Sequence, residues 1–154
     1  MSTIESRVAE LGLTIPQPPK PVASYVGFVK HGDLVFVSGQ TPMVEGKITH
    51  PGILGRDVSL EDAVSEAQVC AINILAQMKS ACDGDLDRIA RCIRLGGFVA
   101  STPDFTDHPK VVNGASDFMG NVLGAKGEHS RAAVGVAALP LNSCVEVDAI
   151  FAIK

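Results

Sequence analysis

The sequence predicts one α+β domain, a mixed β-sheet carrying two helices on one face. Three observations lead there. Apolar residues recur at helical spacing in two stretches, 60–78 and 111–123. Five other stretches are β-branched and aromatic or alternate with period two. The resulting order, β-β-(β)-α-β-α-β-β, has too few helices to cover both faces of a sheet. The 154 residues fit a single domain, and a chain of this size buries about 68–70% of its unfolded surface.

Residues 2–11 place Ile4, Val8 and Leu11 on one face of a short helix. The Pro-rich segment 16–21 then reads as an extended connector, because proline cannot donate to a ladder. We therefore divide the chain into an N-terminal helix and arm, 1–21, and a folded domain, 22–154. Residues 24–30 and 34–38 form a hairpin around His31-Gly32-Asp33. A glycine- and proline-bearing loop, 39–57, follows, with a short strand near 47–49.

Ser59 caps a long helix whose stripe includes Ala63, Ala67, Cys70, Ala71, Ile74 and Met78. Its alanines at i, i+4 and i+8 permit close approach to a sheet. Residues 91–101 read as a strand, with Gly96-Gly97 marking a bulge or a place where another backbone or a ligand comes close. A second helix starts near Asp107, with Pro109 in its first turn, and stops at Gly124. Strands 131–139 and 144–154 close the chain. In the last, Val145, Val147, Ala149, Phe151 and Ile153 share one face, and Glu146 and Asp148 point to the other.

The apolar fraction of 46% against 19% charged is generous for a small monomer, so the bare sheet face is expected to meet further copies in a homo-oligomer. The net charge of −4, with Lys and Arg scattered, lacks the footprint of a nucleic-acid binder. No apolar run approaches the ~20 residues of a membrane span, and the opening residues lack a signal-peptide apolar stretch. We expect a cytoplasmic protein. Cys70, Cys82, Cys92 and Cys144 form no CxxC pair and have no histidine at zinc spacing, so they read as reduced core thiols without a metal.

Arg131 opens a strand whose same-face neighbours, Ala133 and Gly135, are small. A guanidinium there would face open space beside a bare wall, which suits a planar anion. A surface arginine at a strand entrance is the plain alternative. Glu146 lies inside the final strand, where acidic residues are uncommon unless solvated or employed. Asp148 beside it keeps the solvated-face reading open. Tyr25, the single tyrosine, is equally readable as a packing residue.

The blocks Tyr25, Gly32-Asp33-Leu34-Val35-Phe36-Val37-Ser38-Gly39-Gln40-Thr41-Pro42, Val112-Asn113, Arg131, Leu139-Pro140 and Val145-Glu146-Val147-Asp148-Ala149-Ile150 resemble, in order and near-family spacing, the signature blocks of the RidA/YjgF family. The resemblance covers about residues 22 to 154. It implies a chorismate-mutase-like fold and a homotrimer with sites in the subunit clefts. It also implies hydrolysis of 2-imino acids and enamines to 2-keto acids and ammonia, with no metal or organic cofactor. On it, Arg131 would hold the substrate carboxylate and Glu146 would stand near the attacking water. Tyr25, Ser38, Gly39, Asn113 and Ala133 would line the cleft.

Ala133 stands where many members carry a reactive cysteine, and the N-terminal arm and the loop 39–57 exceed the usual family length. Both mark a divergent, longer subgroup. A non-catalytic trimer binding small carboxylates is one alternative. The endoribonuclease or translation-inhibitor activity attached to part of the family is another, against which the acidic charge and the lack of a basic stripe weigh.

Overall fold

The computed structural model describes residues 1–18, 20 and 23–154. Pro19, Pro21 and Val22 fall outside it, so part of the expected connector and the boundary at 22 lie beyond the described residues. Strands β1 (Phe28–His31), β2 (Leu34–Gln40), β5 (Ile89–Ala100), β6 (Ser130–Val136) and β7 (Val145–Ile153) form one sheet. Its order is β1-β2-β7-β5-β6. Only β5 and β6 run parallel. Helices α2 (Leu60–Ala81) and α3 (His108–Leu123) lie on one face, the mixed α+β architecture expected.

The alternation of β7 decides which face is which. Val145, Val147, Ala149, Phe151 and Ile153 are buried beneath the helices, and the residues between them are half-exposed. Pairing extends the rule across the sheet, because paired residues share a face. Val29, Phe36 and Ile150 therefore occupy the bare side, together with Phe98 and Val134. Val29 is 53% exposed, Phe36 42% and Val134 46%.

The alanines of α2 meet α3 closely. A Cβ on Gly114 of α3 would land on the Val64 carbonyl oxygen and 3.2 Å from the Ala67 methyl. Gly97 of β5 lies under Val112 in the same way. Gly97 thus serves close helix approach, Gly96 leaves room on the bare face for Asp148 and Arg94, and no bulge occurs at either. The register with β7 shifts earlier, between Ile89 and Arg91 and between Cys92 and Arg94.

Three other boundaries differ from expectation. The first strand starts at Phe28 and not at 24. The Ser38 amide still takes up the Gly27 carbonyl, at 3.0 Å, in continuation of the register, but the chain bends at 23–25 and at Gly27, and the Ser38 hydroxyl holds the Val26 carbonyl at 2.6 Å. Strand β6 ends at Val136, short of 139. The 39–57 loop holds a two-stranded hairpin, β3 (Met43–Val44) with β4 (Lys47–Ile48), turned by Glu45 and Gly46 at φ 50° and 79°. Positive φ at both turn residues matches the twist of short antiparallel strands.

Buried polar residues of α2 hold this loop in place. Asn73 Nδ2 donates to the Thr41 and Met43 carbonyls, at 3.0 and 3.1 Å. Glu66 accepts from the His50 amide at 3.1 Å and its ring Nδ1 at 2.7 Å. Helix α1 (Thr3–Glu10) docks on the same body, burying Ile4 and Val8, while Asp87 caps its first amides at Thr3 and Ile4.

Candidate functional site

The residues expected in the site fall into two groups on opposite faces of the sheet. The first lies between β6 and α3. Arg131 pairs with Leu95 and therefore turns toward the helices, where its Nη1 donates to Asn113 Oδ1 at 2.8 Å and Ser116 Oγ at 3.2 Å, and its Nη2 to the Pro109 carbonyl at 3.4 Å. The guanidinium is thus cradled by α3 and does not stand in open space as the small neighbours implied. A guanidinium carries five N–H donors. Its Nε–H and one Nη2 hydrogen have no partner among the described residues.

Asn113 and Ser116 share a face of α3 at i and i+3, so both reach the same side chain. Ser116 is held in turn by His129 Nε2 at 2.9 Å, while His129 Nδ1 meets the Gly127 carbonyl at 2.5 Å. A carbonyl only accepts, so Nδ1 carries the proton, and in the neutral ring Nε2 accepts the serine O–H. The serine oxygen is thereby turned toward Arg131. Ser116 and His129 were not singled out from sequence. The i, i+3 spacing from Asn113 was the available signal for Ser116. Ala133 is the next residue on this wall of β6, level with Gly97 and partly buried against the core.

The second group lies on the bare face, centred on Glu146 of β7. Burial, and then the charge of Asp148, raise its carboxyl above the usual value of 4.5. Asp148 meets Arg94 at 3.4 Å on the same face. Gly39 sits at the irregular end of the β2 and β7 pairing, where a Cβ would be 2.5 Å from Glu146 Oε1. The backbone of Gly39 can therefore approach the carboxylate as no other residue's could. Ser38 precedes it, its hydroxyl holding the Val26 carbonyl, and Tyr25 stands 54% exposed at the bend just before.

All four cysteines are buried and unpaired. Burial pushes the Cys92 and Cys144 thiols up to about 12 and raises Cys70 and Cys82 as well. None is a thiolate near neutral pH. Iodoacetamide should therefore label the native protein very slowly and leave ligand binding intact, read by mass spectrometry beside calorimetry. Rapid labelling under native conditions would contradict the burial.

The comparisons with known proteins agree on the architecture. A family model described as "YjgF/chorismate mutase-like, putative endoribonuclease" matches residues 5–153. Protein TCP17 of Trypanosoma cruzi is 39% identical over 148 residues, spanning 96% of this chain and 92% of that protein. The crystal structure of Atu1372, a protein of unknown function from Agrobacterium tumefaciens, is 51% identical and superposes with a TM-score of 0.94 over 99% of this chain and 93% of that one. The Escherichia coli YjgF gene product, at 21% identity, shares the fold with a TM-score of 0.65 over 90% of this chain and 94% of its own. The chain belongs to the YjgF/chorismate mutase-like family.

Proposed function

We propose that this protein hydrolyses reactive 2-imino acids and their enamine tautomers to 2-keto acids and ammonia, in clefts that two subunits of a homotrimer build together. The observation that carries the reading is the separation of Arg131 from Glu146. They lie on opposite faces, with β5 between their strands, so no small ligand touches both in one chain. Each cleft would join Arg131, Asn113 and Ala133 of one subunit to Glu146, Gly39, Ser38 and Tyr25 of its neighbour. The exposed Val29, Phe36 and Val134 on the bare face supply apolar area for such an assembly.

The chemistry follows from the two groups. The unpartnered Nε and Nη2 hydrogens of Arg131 grip the substrate carboxylate as a fork and fix the imine carbon. Glu146, ionised, takes a proton from water as it adds to that carbon. The resulting carbinolamine loses ammonia once its nitrogen is protonated, and Glu146 can return the proton it took. Water supplies the oxygen of the keto acid and two of the three hydrogens that leave as ammonia, the imine nitrogen already carrying the third.

Two measurements test the assembly. Light scattering at micromolar concentration should give three times the 16.1 kDa chain mass, and a stable monomer would end the shared-cleft reading. Subunit mixing is sharper. Arg131→Ala and Glu146→Gln, each inactive alone, should on co-refolding recover roughly a quarter of wild-type ammonia release, because each cleft draws its two walls at random. A site housed within one chain would recover nothing.

A further inference from the structure

The face of β6 that carries Arg131 continues into a second, polar recess. Gly135 is the next residue but one after Ala133 on that face. Beyond it opens a cavity of about 380 Å³ lined by Ser101, Phe105, His108 and Val136, among others. Ser101 Oγ and His108 Nε2 are 3.0 Å apart over Gly135. A Cβ at 135 would stand 2.9 Å from the serine oxygen and strike the histidine ring. Phe105 meets that ring edge-on, with centroids 5.2 Å apart, and holds its plane. His108 precedes Pro109, whose carbonyl takes the Arg131 guanidinium. One peptide therefore links the arginine's cradle to the recess.

We infer that this recess reads the tail of the substrate, and that the preferred substrates are 2-imino and 2-keto acids whose short side chain ends in a neutral hydrogen-bonding group, a carboxamide or a hydroxyl. The inference rests on Arg131 as the carboxylate anchor. With the carboxylate on Arg131, a side chain running past the Ala133 methyl ends at the serine and histidine seated over Gly135. Whichever tautomer His108 adopts, the pair offers a donor and an acceptor together, the complement of an amide or alcohol. A second carboxylate suits it less, because Asp104 and Asp107 flank the recess in sequence, with Asp107 paired to Lys110 at 3.3 Å. A purely apolar tail would strip water from both polar side chains and return nothing.

Three 2-keto acids of nearly equal shape separate these cases: 2-oxosuccinamate with an amide tail, 4-methyl-2-oxopentanoate with an isosteric apolar one, and oxaloacetate with a charged one. By calorimetry the wild type should bind the amide at least about tenfold tighter than the apolar compound, with oxaloacetate weaker than the amide. In His108→Leu and Ser101→Ala the amide preference should collapse toward unity, with affinity for 4-methyl-2-oxopentanoate held within a few fold. That retained affinity shows a folded protein with its carboxylate anchor intact. Equal binding of amide and apolar compounds by wild type, a preference unchanged in both variants, or oxaloacetate binding tightest would each overturn the inference alone. Failure of all three to bind wild type would overturn the carboxylate reading beneath it.

Discussion

Arg131→Ala should weaken binding of any 2-keto acid by roughly 2–5 kcal/mol, because it removes a charge-assisted and bidentate contact from a partly desolvated cleft. The side chain is held from behind by Asn113, Ser116 and the Pro109 carbonyl, so its orientation is set before ligand arrives. Arg131→Lys should recover little of the loss, since an ammonium cannot present two parallel donors or satisfy the three acceptors around it. Calorimetry measures affinity directly. Ammonia release from imines generated in place by an amino-acid oxidase gives turnover, and both should fall together. Wild-type affinity in Arg131→Ala would remove the carboxylate role and with it the proposed chemistry.

Much of this arrangement was legible because periodicity carries it. The period-two pattern of β7 put Glu146 opposite the buried face, whereas the alanine stripe of α2, read as allowing close approach to a sheet, meets Gly114 of α3 at Ala67. What escaped the sequence depends on contacts between elements. Arg131 reads as facing open space when only its own strand is considered, whereas its partners come from α3, fifteen to twenty-two residues back. The Gly96-Gly97 pair was read as a bulge or the approach of a backbone or ligand, whereas side chains come close: Val112 over Gly97, and Asp148 with Arg94 over Gly96. Strand β1 begins late because the chain bends at 23–25 and at Gly27, where the residue pattern at 24–27 reads as a strand. The family resemblance named Arg131 and Glu146 together. Only the sheet order reveals that one chain holds them apart.

Glu146→Gln should lower turnover by about 10²–10⁴ while changing 2-keto acid affinity far less, since the amide keeps the shape and loses the base. In wild type the carboxyl is raised above 4.5 by burial and by Asp148. The rate should therefore climb with pH through that raised value, and Asp148→Asn should move the climb toward lower pH by removing the neighbouring charge. Stability has the opposite sign. A carboxyl raised on folding favours the protonated native state, so the stability it contributes is complete below 4.5 and is lost as pH rises through the raised value. At neutral pH the ionised group works against the fold. Glu146→Gln should accordingly melt no lower than wild type at pH 7, with its advantage shrinking as pH falls through the raised value and gone below 4.5. A variant that melts higher and turns over slowly is the signature of a carboxylate kept at some cost to stability for its chemistry. A variant that turns over normally would give the activation of water to backbone groups around Gly39, and one that melts much lower at pH 7 would make Glu146 a structural residue of the bare face.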